Sequence, residues 1–531
     1  RDVLEVVKAG FSLRKGASAA IPSSIHQMWM ERIDALLSEL PDGAERALEI
    51  AAVLGMEIDQ IEWDQVCIIE GSQLSSLVVE GLLRRRLALP AETSGRFRHA
   101  HGMLRESLLR RAREGGRFEH HHIACAAMLK ERLAIRGLAE RRARHLIAGR
   151  AHEEALVPLL LAASERKASG DLRQVLALLD VYQKAAIRAG LAVSHKGRLR
   201  AQVLRSEIEG IMGNSEESTK LADTALAHAR KIESPFLIGA ALRVLGGHTQ
   251  RSGQTHGAWE MFEEALLHLN KAGADELLIL THLHLANLSR FVGWWDRGRA
   301  HAQEALKRAE TLAVPIFLGN SHFYCGLLRE QQRDFKGASE HFVTAAKHHE
   351  EAGNRLGAAN CINALGNQAR LAGNFQQAEK AFRQAIDLHQ SIGSAQDLGP
   401  MMSLALAHLD MGDFGAARQI LESGVARCRK RELNNMLGCA LACLLPCYAS
   451  AQEWLTWDEA LKEARGLLEE TGVLSVDVAN PLEIAAVMAL QEKQPKRAKQ
   501  AYEVAIRQWM GLGRDDKVGE VMIAMDALHL N

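Results

Sequence analysis

A unit of about forty residues recurs along this chain from roughly residue 200 to its end. Small residues stand at Ser218, Ala258, Gly298, Ala338, Ala378 and Ala498, separated by multiples of forty, with Ala417 one residue out of step. Four positions on come Ala222, Phe262, Ala302, Phe342, Phe382 and Tyr502, and three further on Ala225, Ala265, Ala305, Ala345, Ala385 and Ala505. About twelve residues before each set lies another small residue: Ser206, Gly246, Ala286, Gly326, Gly366 and Ala405. A fixed period of this length specifies a stack of helical hairpins, in which one hairpin cannot bury its apolar face alone. Such arrays present surfaces for recognition.

The spacing places one helix of each hairpin around the Ser206-to-Ala405 set and the second near the Ser218-to-Ala498 set. Small residues are needed where the two helices cross closely, and Phe262, Phe342 and Phe382 fill the space between hairpins. Turns such as Ser252-Gly253-Gln254, Ala372-Gly373-Asn374 and Met411-Gly412-Asp413 join the helices. Gly273, Gly353, Gly393, Gly472 and Gly513 close the second helix, where a left-handed residue ends it at little cost. The unit near 440–470 fits poorly, with Trp457, Ala460 and Ala464 at the expected places.

Composition agrees with close helix packing: 47% of residues are hydrophobic but only 5% aromatic. The 65 basic and 65 acidic residues cancel, so no global field favours nucleic acid or a membrane surface. Eight cysteines form no secreted framework, and no signal peptide or long apolar span is seen, which points to a reducing, cytoplasmic setting. The chain opens on Arg1 directly in a strand-like run, which reads as the continuation of an upstream domain.

Ahead of the array the pattern differs. Residues 1–20 read as a hairpin, with Val3 to Val7 and Phe11 to Leu13 around a turn at Lys8-Ala9-Gly10. Pro22-Ser23-Ser24 opens a helix with apolar positions Ile25, Met28, Trp29, Ile33, Leu36 and Leu37, and Pro41-Asp42-Gly43 ends it. Further helices are expected at Ala47–Leu54, Trp63–Ile69 and Ser72–Arg86. A turn at Pro90–Gly95, a strand over Arg96–His101 and a helix over His101–Arg113 follow. Three helices and then a brief hairpin is the order of a winged helix; from about 120 onward helix follows helix.

Two resemblances follow from these residues. Ala364-Leu365-Gly366-Asn367, Gly373-Asn374-Phe375, Ala378, Phe382 and Ala385 resemble the tetratricopeptide repeat, whose usual period is about 34 residues; forty implies longer helices or loops. That likeness covers about 200–531, and loosely 141–200, where Ala155, Leu159 and Ala163 after Gly149 resemble an opening unit. The segments Ile21-Pro22-Ser23 to Glu31-Arg32-Ile33-Asp34, Ala51-Ala52-Val53-Leu54-Gly55, Gly81-Leu82-Leu83 and His101-Gly102-Met103-Leu104-Arg105-Glu106 resemble the region beyond the nucleotide-binding core of STAND signal-transduction ATPases. His120, His121 and Ile123-Ala124 continue the match. The ensemble resembles the C-terminal part of bacterial fusions of a Ser/Thr kinase, a STAND ATPase and tetratricopeptide repeats. No GxxxxGK[ST] loop or HRD loop occurs here, so the kinase and ATPase are implied by resemblance only, and ATP or ADP would be a cofactor of a longer protein.

The resemblance gives His101 a role: a winged-helix histidine at this place would contact the β-phosphate of ADP bound to the upstream core. The simpler reading is a histidine packed at a strand–helix junction. His99 departs from the family, where an aromatic is usual. Over 84–150, seventeen basic side chains stand against six acidic ones, a net of plus eleven. Such a unit would suit DNA phosphates, but the resemblance makes it a switch element, with DNA the lesser alternative.

Helix spacing puts Asn287, Arg290, Asn360, Asn363, Asn367 and Arg370 on the inner side of successive first helices. Amides and guanidiniums there would hold an extended peptide's backbone and carboxylates; otherwise they form a wet polar wall. Cys439, Cys443 and Cys447 share a helical stripe, but Pro446 is expected to interrupt that helix and no histidine completes a metal set. His120-His121-His122 points in different directions on one helix, and His152-Glu153 lacks the second histidine of a zincin. No catalytic or metal residues are assigned.

The expected architecture is all-α: a hairpin tail at 1–20, a winged-helix region at 21–118, helical linker and first repeat units at 119–200, and a repeat superhelix at 201–531. The expected function is the ligand-sensing arm of a STAND-type regulator, taking a protein or peptide on the concave face and switching an upstream ATPase or kinase domain in cis, with self-association on activation. The alternatives are the regulatory segment of a Ser/Thr kinase, a stand-alone scaffold, and a transcription regulator using the basic winged helix.

Overall fold

The computed structural model describes residues 4–7, 10–13, 25–72, 75–130, 135 and 137–526. The chain divides into two compact units, Arg1–Ala162 and Ala163–Asn531. Among the described residues the secondary structure is dominated by α-helix, with five short strands.

In the first unit, β1 (Leu4–Val7) pairs antiparallel with β2 (Gly10–Leu13), Leu4 opposite Leu13. The Lys8-Ala9 turn and the Pro22-Ser23-Ser24 start lie outside the described residues, as does Ile21. Helices Ile25–Leu37 and Ala44–Leu54 lead into β3 (Glu57–Asp59). Helices Gln60–Ile69 and Ser75–Arg84 then precede β4 (Ala88–Pro90) and β5 (Arg96–His99), and β5 lies between β3 and β4 in an antiparallel sheet. β3 is absent from the sequence expectation because three residues are too few for a period-two signal. Its last residue, Asp59, caps the next helix by accepting from the Ile61 and Glu62 N–H groups. Trp63 anchors the core: fully buried, it donates to the Ala47 carbonyl at 2.8 Å and meets Phe97 edge-on. Helices Gly102–Glu114, Phe118–Met128 and Leu138–Ala148 follow, and helix Leu156–Ala168 spans the division between the units.

The second unit is a tetratricopeptide-like α-solenoid. Helix Leu172–Arg188 leads into eight hairpins, each of an inner and an outer helix. The first four are Lys196–Met212 with Ser215–Lys231, Pro235–Arg251 with Thr255–Ala272, Asp275–Val292 with Trp295–Leu312, and Pro315–Gln331 with Phe335–Glu351. The last four are Arg355–Leu371 with Phe375–Ser391, Leu398–Asp410 with Phe414–Lys430, Asn434–Ser450 with Trp454–Thr471, and Val476–Gln491 with Pro495–Gly511. Helix Asp515–Asp526 follows.

The repeated small residues have a direct steric cause. A Cβ on Gly246, Gly326 or Gly366 would stand 2.8, 2.6 or 2.8 Å from the ring of Phe262, Phe342 or Phe382 respectively, each sixteen residues later on the paired helix. The three phenylalanines are fully buried. The turn glycines adopt the left-handed region, as at Gly373 (φ 78°) and Gly412 (φ 77°), and Arg333, Gln452 and Lys493 take the same conformation where other hairpins lack a glycine. Pro446 does not interrupt its helix, which runs unbroken through Asn434–Ser450. Proline forfeits one hydrogen bond there, and burial of nearly every neighbour from Ala440 to Ala449 holds the helical path. The poorly matching unit also forms a regular hairpin, with Trp457 and Ala464 fully buried in a core that the last three hairpins share.

Contacts along the solenoid axis join hairpins far apart in sequence. Thr255 Oγ1 donates to the Thr471 carbonyl at 3.0 Å, and any Cβ on Gly253 would collide with Thr471. A Cβ on Gly293 would lie 3.3 Å from the Gly511 carbonyl oxygen, and one on Gly213 3.0 Å from Ala395. These turns therefore pack against segments about five hairpins later. The inner helices consequently line a lumen along the axis of the superhelix.

Candidate functional site in the solenoid lumen

The forty-residue register fixes which side chains face this lumen. Asn287 and Asn367 occupy equivalent places on their inner helices, as do Arg290 and Arg370. The same register puts Glu330 between that arginine pair, and Arg243 at the place of Asn363. The sequence reading missed Glu330, Arg243, Glu207 and Arg251. The signal for them was available in multiples of forty, whatever residue type stands there: Glu330 lies forty beyond Arg290, Glu207 eighty before Asn287, Arg243 three periods before Asn363 and Arg251 eighty before Gln331.

Arg370 is the centre of the site. Its guanidinium is 7% exposed and bridges Asp410 at 2.8 Å and Asp477 at 2.6 Å, the latter from the inner helix of the eighth hairpin. The two carboxylates raise its already high pKa against the opposing effect of burial. Beside it, Gln368 donates to Glu330 at 2.5 Å, and burial raises the Glu330 carboxyl above its usual range. Arg290 donates to Asn287 Oδ1 at 3.3 Å; burial lowers its pKa, with Glu330 and Asp477 opposing. Arg290, Glu330, Arg370, Asp410 and Asp477 thus form one polar cluster drawn from five inner helices.

Asn360, Asn363 and Asn367 lie partly buried on helix Arg355–Leu371. Among the described residues, the buried Oδ1 atoms of Asn363 and Asn367 and Oε1 of Gln331 have no hydrogen-bond partner. Buried carbonyl oxygens of this kind cost stability unless something donates to them. The six groove residues expected from sequence therefore share the inner helices of the third and fifth hairpins, and Arg370 already has protein partners.

At the other end of the lumen, Glu207 accepts from Lys167 at 2.7 Å and Arg243 at 3.0 Å. The two cations hold its carboxyl at about 2 against the opposing desolvation. Arg251 and His284 complete this second cluster; burial, reinforced by Arg243 and Arg251, pushes His284 down to about 3.

In the first unit, His101 caps helix Gly102–Glu114 by accepting the Met103 N–H on Nδ1 at 3.1 Å. That bond puts the proton of the neutral imidazole on Nε2. The ring stacks on Trp29 at 5.7 Å, and the Arg32 guanidinium lies 4.8 Å from the Trp29 ring. His99, the departure from the family pattern, is buried and pushed down to about 4 by desolvation. Of the three consecutive histidines, His121 lies between Glu49 (2.9 Å) and Glu70 (2.6 Å), while His122 meets His145 at 2.9 Å.

The basic stretch 84–150 is largely neutralised within its own unit. Arg84 and Arg85 pair with Glu39, Arg96 with Glu57 and Asp59, and Arg111 with Asp34 and Glu45. Arg117 binds Glu49 and Arg141 binds Glu62. The net charge of the segment is therefore a poor measure of the field it presents. The cysteine stripe is likewise inward: burial raises Cys439 and Cys447 to about 12 and lifts Cys443 well above the usual thiol range, so these thiols hold their protons.

No protein-family model matches the chain, and no curated protein matches it. Among solved structures, a Rap protein complexed with competence and sporulation factor is similar to it with a TM-score of 0.51 at 14% identity, covering 68% of this chain and 99% of that one. The STAND protein with a tetratricopeptide repeat sensor from Pyrococcus horikoshii is similar over 95% of this chain and 67% of its own, with a TM-score of 0.39 at 11% identity. The apo quorum sensor NprR from B. thuringiensis gives 0.36 at 14%, over 69% of this chain and 99% of that one. The first likeness shows the fold, a tetratricopeptide-like solenoid; nothing rests on the other two. Among the described residues no helix is long and apolar enough to cross a membrane.

Proposed function

We propose that the solenoid lumen is a receptor site for an extended peptide or a peptide segment of a protein. The observation that carries this reading is the set of buried side-chain carbonyls of Asn363, Asn367 and Gln331, unpartnered among the described residues, with the Arg370 guanidinium one turn of helix from Asn367. A peptide backbone supplies N–H donors at regular intervals, which is what such acceptors lack. The Rap protein of similar fold, which forms a complex with competence and sporulation factor, agrees with a recognition role.

The first unit is proposed as a winged-helix switch element coupled to a STAND-type ATPase core in cis, in a cytoplasmic signalling protein that associates on activation. The order helix, strand, helix, helix, strand, strand, with β5 central in the sheet, supports the winged-helix reading. His101 fits the phosphate contact of ADP in chemistry: Nε2–H points a donor outward, and Arg32 brackets the same Trp29 ring. When bound, the nucleotide would supply the energy of the switch; His101 and Arg32 would only hold its phosphates. The kinase fusion remains an inference from resemblance.

Affinity selection from a synthetic library of random octapeptides, read by mass spectrometry, tests the receptor reading. The full chain is expected to retain a defined subset, and a variant carrying Asn363→Leu and Asn367→Leu to retain it at least tenfold less. Retention of nothing by the unmodified chain, or of the same subset by the variant, would overturn it.

A further inference from the structure

The cluster at the first two hairpins carries an excess of positive charge that no described acidic side chain neutralises. Lys167 and Arg243 share the single carboxylate of Glu207. Arg243 is 4% exposed, and its buried Nε has no hydrogen-bond partner among the described residues. Arg251, at the end of the inner helix of the second hairpin, forms no ion pair among the described residues. Its polar neighbour among the described residues is His248, with Nη2 2.7 Å from Nδ1.

That neighbour holds the guanidinium without cancelling its charge. A guanidinium can only donate, so His248 Nδ1 must accept and the imidazole must be neutral. Nε2–H then donates to Ser218 Oγ at 2.6 Å, and Ser218 in turn donates to the Ser206 carbonyl. Ser206 Oγ donates back to the Ser218 carbonyl at 2.6 Å, so every hydrogen in the chain is used. His248 is pushed down to about 3 by burial and by Arg251, which fits this tautomer, and burial alone lowers Arg251 to about 10. Arg251 is oriented by a neutral chain and left charged.

Space is available beside it. In the forty-residue register Gly247 takes the place of Asn287 and Asn367. A Cβ there would meet nothing nearer than Arg251 Nη1 at 3.6 Å and His284 at 4.0 Å. The inner wall is thus recessed where the unneutralised cations converge.

We infer that Arg243, Arg251 and Lys167 form an oxyanion subsite at this end of the lumen, and that the group it receives is a carboxylate of the peptide ligand. The inference rests on the receptor reading for the source of the carboxylate, though not for the subsite. Two buried or half-buried arginines offer paired N–H donors in the planar arrangement that suits a carboxylate.

Two measurements on the full chain test it. The first compares two octapeptide libraries: one with free C-termini and Asp and Glu allowed, the other amidated and with Asn and Gln in their place. Retention of the carboxylate library is expected to exceed that of the amide library at least tenfold, and the preference to disappear in Arg251→Gln. The second needs no substitution: phenylglyoxal modification of Arg251, followed by peptide mapping, with acetate or inorganic phosphate added against chloride at equal ionic strength. Acetate is expected to slow the reaction at least threefold.

Equal retention of the two libraries would overturn the inference while leaving the lumen as a peptide receptor. Retention of neither library, with protection by acetate or phosphate, would sink the receptor reading and uphold an oxyanion subsite; stronger protection by phosphate would then name its source. No retention and no protection would overturn both.

Discussion

Replacing Arg370 by glutamine tests whether the solenoid is locked across its axis. The guanidinium makes two charge-assisted bonds, to Asp410 at 2.8 Å and Asp477 at 2.6 Å. Such bonds contribute about 1.5–3 kcal/mol each when buried. Asp410 and Asp477 retain 34% and 45% of their side-chain exposure, so water already screens them and the lower end applies. The loss is therefore about 2–3 kcal/mol. A repeat array does not unfold as a single two-state unit, so amide hydrogen exchange is the suitable assay. A local loss of about 2 kcal/mol corresponds to roughly thirtyfold faster exchange. It is expected in both Arg355–Leu371 and Val476–Gln491, whose paired residues lie 107 positions apart, and not in the first two hairpins. A double-mutant cycle with Asp477→Asn should show coupling of about 1 kcal/mol or more. Faster exchange confined to Arg355–Leu371, with coupling under about 0.3 kcal/mol, would refute the cross-axis lock.

Three other outcomes follow from the packing and the buried titratable groups. Phe382→Ala removes a fully buried ring from between hairpins and should cost about 3–5 kcal/mol locally; protection of the fifth and sixth hairpins in hydrogen exchange checks it, and an unchanged profile would contradict it. His349 is buried, accepts from Asn354 Nδ2 at 3.0 Å, and is pushed down to about 4 chiefly by burial; His389 and His322 are likewise held at about 4. The unfolded chain binds protons at these sites near pH 6.5 and the folded chain does not, so stability is full above about pH 6.5 and falls as pH drops toward 4. Urea midpoints between pH 7.5 and 5 should decline, less steeply in His349→Gln; a flat profile would be the contrary result. Glu49→Gln should destabilise the first unit by about 3–5 kcal/mol, since it strips Arg117 and His121 of a fully buried carboxylate; a thermal midpoint within a degree of the unmodified chain would argue against that network.

The parts of the fold that were legible in sequence are those where sterics leave one choice. Gly366 must be small because the Phe382 ring lies against its backbone, and Gly373 must reach a positive φ; both constraints repeat every forty residues and so rise above noise. The Arg370–Asp477 pair was not legible, because a contact made three hairpins away follows from the pitch of the superhelix and leaves no local pattern. Arg243 and Arg251 escaped notice for a different reason: the inner face was traced by looking for asparagine, and at the second hairpin the register carries arginine and glycine instead. Pro446 misled in the opposite direction, since a local rule about proline yields where the whole helix is buried.

The central claim, that peptide binds in the lumen, is tested most directly by photo-crosslinking. A benzophenone amino acid placed at Asn360, on an inner helix, is compared with one at Leu267, which is 65% exposed on an outer helix. With the octapeptide library present, irradiation should attach peptide at position 360 and not at 267, and attachment should fall when Asn363 and Asn367 are replaced. Equal attachment at the two positions, or attachment at 267 alone, would contradict a lumenal site.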